Sequence, residues 1–271
     1  MEPSSEPGKR SPEPARPAGG PTFIRPPGLE FGRGLAIFSL VFAVFAFAQL
    51  ALLVQQVIAH TPELQEQPLS RGLIESQRFL EARDQLSKNG DVLSHITIGA
   101  DLIALLVLLA MVYQWKRKGT RDFLALRLPF WKPFMAWSAL FIGVFTVLEF
   151  LAAFIPQIRS DFMEDVNSSI TNMPLAILGF GVMAPLFEEI LIRGLLFRSL
   201  RYLLDKHTAV ALTAGAFTMI HLQYNWILML VYVLPMGIIL GYARANTGSI
   251  WTGVFLHMLN NALSIVLPQF L

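Results

Sequence analysis

Long apolar runs, broken by short charged segments, constrain this chain more than any other feature. Of its 271 residues, 54% are hydrophobic and 15% are charged, whereas charged residues make up roughly 25% of an ordinary soluble domain. A bilayer offers no water to the backbone, so runs of about 20 apolar residues cross it as helices, which satisfy their own hydrogen bonds. The sequence therefore predicts an all-α fold, a polytopic bundle of transmembrane helices.

The apolar runs predict about seven spans. They lie at residues 35–58, 95–115, 133–155, 173–197, 208–222, 226–242 and 250–267. Residues 1–34 are rich in Pro, Gly and Ser and lack apolar periodicity, which predicts a disordered cytoplasmic tail. Residues 59–94 are too charged to span, so residues 35–172 are expected to hold the N-terminal helices and one extramembrane loop. Residues 173–271 form the remaining unit.

Positive residues are distributed unevenly among the connections. The 21 Lys and Arg against 19 Asp and Glu give a net charge of only +2, which does not argue for nucleic acid as a partner. Lys and Arg cluster in the tail, at 116–132, at 198–206 and at Arg244. Because positive residues favour the cytoplasm, we expect the N-terminus inside, the C-terminus outside, and membrane lipids as partners. With no cysteine in the sequence, disulfides, thiolate metal sites and cysteine nucleophiles are excluded.

The fourth span contains three charged residues, Glu188, Glu189 and Arg193. Each costs roughly 2.5 to 3.5 kcal/mol at mid-bilayer, so such residues need buried partners or water and usually mark a site. Glu189 and Arg193 are four residues apart and share a helix face, whereas Glu188 is turned about 100° away. The spacing predicts a Glu189–Arg193 pair and leaves Glu188 free as a general base acting on water. A structural ion-pair network is the alternative.

Two histidines in later spans extend this set. His221 ends the fifth span, and His257 shares a helix face with Asn261 in the seventh. These residues support hydrolysis, in which Glu188 and His221 hold and deprotonate a water while His257 and Asn261 donate hydrogen bonds to an oxyanion. In a second reading, Glu188, His221 and His257 bind a divalent metal such as zinc. Both readings stay open at this point.

Three motifs occur in order over about 75 residues of apolar helices: Glu-Glu-x-x-x-Arg, Phe-x-x-x-His and His-x-x-x-Asn. In this order they resemble the CAAX-protease and bacteriocin-processing family of intramembrane proteases, which includes type II CAAX prenyl endopeptidases and Abi-type bacterial relatives. The resemblance covers about residues 174–266. The positions that carry it are Glu188, Glu189, Arg193, Phe217, His221, His257 and Asn261.

This resemblance implies that residues 173–271 are the catalytic core of a glutamate-dependent endopeptidase, of a kind often described as a metalloprotease. It implies membrane-associated protein or peptide substrates and a bacterial plasma membrane. In the family, the first Glu and the first His are taken to activate water, which here are Glu188 and His221. The last His and the Asn, here His257 and Asn261, are taken to stabilise the oxyanion, with Glu189, Arg193 and Phe217 in supporting positions.

Two other classes of function fit an apolar bundle with buried charges. One is a non-proteolytic immunity or partner-binding membrane protein on the same scaffold, and the other is an ion or proton carrier. The site also depends on depth, because His221 must rise far enough through the membrane to meet Glu188. Asp101 and Glu149 lie within spans away from the motifs; we expect them to be solvated near span ends and assign them no role.

Overall fold

The computed structural model describes residues 26–155 and 158–269. Within these residues all regular secondary structure is helical and there is no strand, which confirms the predicted fold class. The long helices, labelled α1 to α7, are Pro27–His60, Gly90–Lys116, Trp131–Ala152, Met173–Leu200, Lys206–Met219, Trp226–Thr247 and Trp251–Val266.

Five of these helices, α1 to α4 and α6, are long and apolar enough to cross a membrane. Helices α5 and α7 have only 14 and 16 residues. At 1.5 Å per residue they are about 21 and 24 Å long, short of a hydrocarbon core of about 30 Å. The fifth and seventh predicted spans are therefore shorter than a full crossing.

Polar caps set where several helices begin. The side chains of Asn89, Asn172, Asp205 and Asn225 each accept a hydrogen bond from a backbone N–H in the first turn of α2, α4, α5 and α6 respectively. Such caps satisfy donors that a helix start leaves unpaired. The cap at Asn89 starts α2 at Gly90, five residues before the start of the predicted span.

The first helix also begins earlier than predicted. Residues 1–25 of the predicted tail lie outside the described residues, but residues 27–34 are the first turns of α1. Pro27 stands in the first turn, where its fixed φ favours a helix and its missing N–H costs nothing. Glu30 is buried and forms an ion pair with Lys116 at the end of α2, so these turns are held against the bundle.

The predicted extramembrane loop forms three short helices, Pro62–Gln65, Arg71–Ile74 and Gln77–Leu86. They fold back on the end of α1. A small apolar cluster joins them to it, made of Val57, Leu64, Leu73, Phe79 and Ala82.

Helix α4 lies between two apolar cores. On one side, Phe187 and Leu191 of α4 pack with residues of α1 and α2, among them Val41 and Leu108. On the other side, α4 packs with a cluster drawn from α3, α5 and α6, which includes Phe217. Helix α7 contributes to both clusters. The helix that carries the Glu-Glu motif is therefore the centre of the bundle, and α7 lies beside it.

Candidate active site

The backbone of α4 is irregular around the Glu-Glu motif. Residues Ala184–Glu189 form an α-helical segment between two π-helical segments, Ile177–Met183 and Ile190–Leu196. Pro185 has no N–H to donate, which suits a position where the hydrogen-bond pattern changes register. π-Helical turns in α-helices frequently occur at functional sites. Here they place both glutamates at the last α-helical turn before the second π segment.

The second glutamate is held in a fully buried ion pair. Nη1 of Arg193 lies 2.8 Å from Oε1 of Glu189, and both side chains are 0% exposed. The other terminal nitrogen of Arg193 donates to the carbonyl oxygen of Gly237 in α6, at 3.2 Å. The guanidinium carbon also lies 4.3 Å from the ring centroid of Phe217 in α5. This pair therefore ties α4 to both α5 and α6.

Helix α7 approaches Glu189 so closely that only glycine fits. A Cβ atom built on Gly253 would lie 2.4 Å from Oε2 of Glu189, well inside any normal contact distance. Gly253 is buried, and His257 follows it by one helical turn. The missing side chain at Gly253 thus lets the Glu189 carboxylate reach α7 next to His257.

His257 faces both glutamates. Its Nδ1 lies 3.4 Å from Oε1 of Glu189, and its Nε2 lies 4.0 Å from Oε2 of Glu188, with only 1% of the imidazole side chain exposed. For a neutral His257, two carboxylates against the guanidinium of Arg193 leave a formal charge of −2 + 1 = −1. Glu188, Glu189, Arg193 and His257 thus form an acidic, poorly solvated centre, in which the imidazole lies close to both carboxylates.

Glu188 is the more accessible of the two carboxylates. Its side chain is 16% exposed, against 0% for Glu189. Its Oε2 is buried and has no hydrogen-bond partner among the described residues. Both oxygens of Glu189 also lack a hydrogen-bond partner among the described residues, so it is the partial exposure of its side chain that sets Glu188 apart.

His221 does not contact the glutamates. Its Nδ1 lies 2.8 Å from the carbonyl oxygen of Phe217; a carbonyl only accepts, so Nδ1 carries the proton and Nε2 keeps its lone pair. The ring of Phe217 lies 4.7 Å from the His221 ring and 5.4 Å from the His257 ring, between centroids. Among the described residues, the basic groups within 4.0 Å of the Glu188 and Glu189 carboxylates are Arg193 and the imidazole of His257, not His221.

The hypothesis of a metal site requires Glu188, His221 and His257 to lie close enough together to bind one ion. The part of the chain that the structure describes contains no group of three His, Cys, Asp or Glu side chains placed to hold a metal. The polar contact of His221 that the structure shows is instead with the carbonyl oxygen of Phe217, in its own segment of the chain. These three residues, as placed, do not form a ligand set for zinc or another divalent metal.

Asn261 lies one turn beyond His257 on α7. Its amide nitrogen donates to the carbonyl oxygen of Phe180 in α4, at 3.0 Å, and its second N–H is not used by that bond. The neighbouring Asn260 lies within hydrogen-bonding distance of the Tyr232 hydroxyl, at 2.9 Å, and that hydroxyl is 3.0 Å from Oε1 of Glu149. The Tyr232 hydroxyl has a single proton, so it can donate to only one of these two oxygens at a time.

Sequence reasoning missed several members of this centre. Tyr232 and Asn260 had no motif to mark them, although the doublet of Asn260 and Asn261 is an unusual polar pair in an apolar helix. Asp101 was expected to be solvated, but it is buried, with 2% of its surface exposed. Burial of Asp101 is a tertiary effect, because helices α1 and α4 both pack against α2.

Comparison with known proteins agrees with the motif pattern. Residues 170–263 match the model of the family described as type II CAAX prenyl endopeptidase Rce1-like. This match confirms the resemblance seen in the sequence, and the matched segment contains all three motifs. No solved structure matches the chain significantly.

Two curated proteins are similar over part of the chain. One is an "Uncharacterized 24.3 kDa protein" of Escherichia coli, 31% identical over 134 residues, which are 48% of this chain and 60% of that protein. The other is the "Putative membrane peptidase YdiL" of Bacillus subtilis (strain 168), 23% identical over 167 residues, 61% of this chain and 66% of that protein. The chain thus spans less than two thirds of either relative. With the apolar helices, these matches support an integral membrane protein.

Proposed function

We propose that this chain is an intramembrane endopeptidase that hydrolyses peptide bonds of membrane-associated proteins or peptides with a water activated by Glu188. The observation that carries the proposal is the position of Glu188, a partly exposed carboxylate with a free oxygen 4.0 Å from His257. It lies in a segment that matches a family of membrane endopeptidases. A general base needs a site of this kind, within reach of water and of a second polar group.

In the proposed reaction, Glu188 accepts a proton from water while the water oxygen bonds to the carbonyl carbon of the substrate. The carbonyl oxygen becomes an oxyanion, to which His257 and the free N–H of Asn261 donate hydrogen bonds. Glu188 then gives its proton to the amide nitrogen as the carbon–nitrogen bond breaks.

The remaining motif residues have supporting roles in this proposal. His221 offers the lone pair of Nε2 to the water, since its Nδ1 proton is committed to the Phe217 carbonyl. The Glu189–Arg193 pair holds α4 against α5 and α6. Phe217 packs against both imidazoles and against the guanidinium of Arg193.

Replacement of Glu188 by Gln tests the proposal, because it keeps the shape of the side chain and removes the base. Membranes from cells that express the wild type or Glu188→Gln are compared by labelling new protein N-termini and identifying them by mass spectrometry. We expect a set of N-termini that depends on Glu188, with both proteins inserted in equal amounts. Glu75→Gln, an exposed glutamate of the extramembrane helices, is the matched control and retains the cleavage.

Identical N-termini in wild-type and Glu188→Gln membranes would refute the proposal. A cellular effect that survives Glu188→Gln combined with His257→Ala would point instead to an immunity or partner-binding protein. Proton or ion flux in proteoliposomes that depends on Glu188, without any cleavage, would point to a carrier.

We also propose that the N-terminus lies in the cytoplasm and the C-terminus outside a bacterial plasma membrane, on the basis of the Lys and Arg distribution. The chain contains no cysteine, so single cysteines can be labelled selectively from either side. A membrane-impermeant maleimide applied to intact spheroplasts should label Glu164→Cys and not Lys118→Cys. Both positions are exposed, and the reverse labelling would invert the orientation.

A further inference from the structure

Asp101, a buried carboxyl group of the bundle, has no part in the proposed reaction. Asp101 of α2 is 2% exposed, and its Oδ2 has no hydrogen-bond partner among the described residues. A polar group buried without a partner costs stability, and a carboxyl group costs more than most. Such a group in an otherwise well-packed helix calls for an explanation.

Asp101 lies at the depth of the Glu-Glu motif. Helices α2 and α4 run in the same direction and touch at Ser94 and Gly179, where a Cβ on the glycine would be 3.0 Å from the Ser94 carbonyl oxygen. From this contact, Asp101 is seven residues along α2 and Glu188 is nine residues along α4. At 1.5 Å per residue these distances are about 10 and 14 Å, so the two carboxyl groups differ in depth by less than one helical turn.

Side-chain packing supports the same register. One turn beyond Asp101, Ala104 and Leu105 belong to the apolar cluster that contains Phe187, the neighbour of Glu188. The segment Ala184–Glu189 contacts both α2 and α7. Glu188 therefore has His257 of α7 as a polar neighbour at 4.0 Å, and Asp101 lies at a similar depth on the other helix that this segment contacts.

We propose that Asp101 is a positioning residue for Glu188, and that the two side chains hold one buried water molecule between them. This inference rests on the proposed peptidase function. Buried waters typically bridge polar groups that would otherwise lack a partner, and both Oδ2 of Asp101 and Oε2 of Glu188 lack one. The bridge restricts the rotamer of Glu188, so that its carboxylate faces the substrate water when cleavage begins.

A positioning role and a merely structural role predict opposite effects on stability. If Asp101 only held helices together, Asp101→Leu would lower Tm. A carboxyl group retained for catalysis at a cost in stability predicts instead that Asp101→Leu leaves Tm unchanged or raises it. Removing the bridge should lower kcat on the order of ten- to a hundredfold, the cost of a small misplacement of a catalytic group, with KM unchanged within about twofold.

The test uses the full-length protein in vesicles of phosphatidylethanolamine and phosphatidylglycerol. The probe is a quenched fluorescent peptide that spans a cleavage site found in the comparison of wild-type and Glu188→Gln membranes. Asp101→Asn keeps the shape and a hydrogen-bonding side chain, so its kcat should lie between those of Asp101→Leu and the wild type. Ser138→Ala is the matched control, since Oγ of Ser138 in α3 is also buried without a partner, and its kcat should equal that of the wild type.

Wild-type kcat in Asp101→Leu would overturn the inference, and so would loss of folded protein or a lowered Tm in that variant, which would indicate a structural role. A kcat loss in Ser138→Ala equal to that in Asp101→Leu would also overturn it. The proposed function fails separately, by the absence of any cleavage that depends on Glu188. An active wild type with an unaffected Asp101→Leu therefore rejects only the role of Asp101.

Discussion

Replacing Gly253 by Ala perturbs the centre through a single methyl group. The new Cβ would lie 2.4 Å from Oε2 of Glu189, whereas an ordinary contact begins near 3.4 Å, so α7 and the carboxylate must separate by 3.4 − 2.4 = 1.0 Å. Glu189 cannot yield freely, because Arg193 holds its other oxygen at 2.8 Å in a fully buried pair. We therefore expect the strain to move α7, and His257 with it.

Overpacking of this kind costs about 1 to 3 kcal/mol of stability. A shift of about 1 Å in catalytic geometry lowers a rate by about a hundredfold. Gly253→Ala should therefore lower both Tm and the rate of cleavage. The lowered Tm is expected whether or not the proposed function is correct.

The assay is thermal unfolding in detergent, followed by cleavage of the peptide probe in vesicles. Gly143→Ala in α3 is the matched control, because a Cβ there meets nothing within 4 Å. Alanine favours a helix over glycine by roughly 1 kcal/mol, so this control should be as stable as the wild type or more so. Equal Tm and equal activity for Gly253→Ala and the wild type would refute the close approach of Glu189 to α7.

Two further predictions concern charge. Arg193→Met should destabilise the protein by about 3 to 5 kcal/mol, because it leaves Glu189 buried without its partner. Adding Glu189→Gln should restore part of this stability, as measured by thermal unfolding. No recovery in the double variant would speak against the pair. At the start of α5, hydrogen bonds from Thr208 and His207 lower the pKa of Asp205 to about 2, from an ordinary 3.8. A carboxyl group with a lowered pKa stabilises the folded state above pH 3.8, and this stabilisation is lost as pH falls through about 2. The difference in Tm between the wild type and Asp205→Ala should therefore vanish over that range. A difference in Tm that stays constant with pH would contradict this prediction.

Several features of the fold and the candidate site follow from local sequence pattern. Apolar runs specify membrane helices because the backbone must satisfy itself in a bilayer. Spacing of four residues puts Glu189 beside Arg193 and His257 on the face of Asn261, since the α-helix repeats every 3.6 residues. The order of three short motifs carries the family resemblance, which the match over residues 170–263 confirms.

Other features were decided by how the helices pack. The sequence favoured His221 as the partner of Glu188, yet in the structure His257 approaches both glutamates, and the ring of Phe217 packs against both imidazoles. Helix pitch alone does not determine this, because two π-helical segments change the register of α4 on either side of the motif.

The close approach of α7 at Gly253 and the burial of Asp101 have the same origin. Each depends on atoms of a different helix, brought near by the depth and packing of whole helices. Sequence alone thus determined which residues share a helix face and which segments enter the membrane. Tertiary structure decided which faces meet, because contacts between helices depend on relative depth and rotation, and neither is encoded in the periodicity of a single helix.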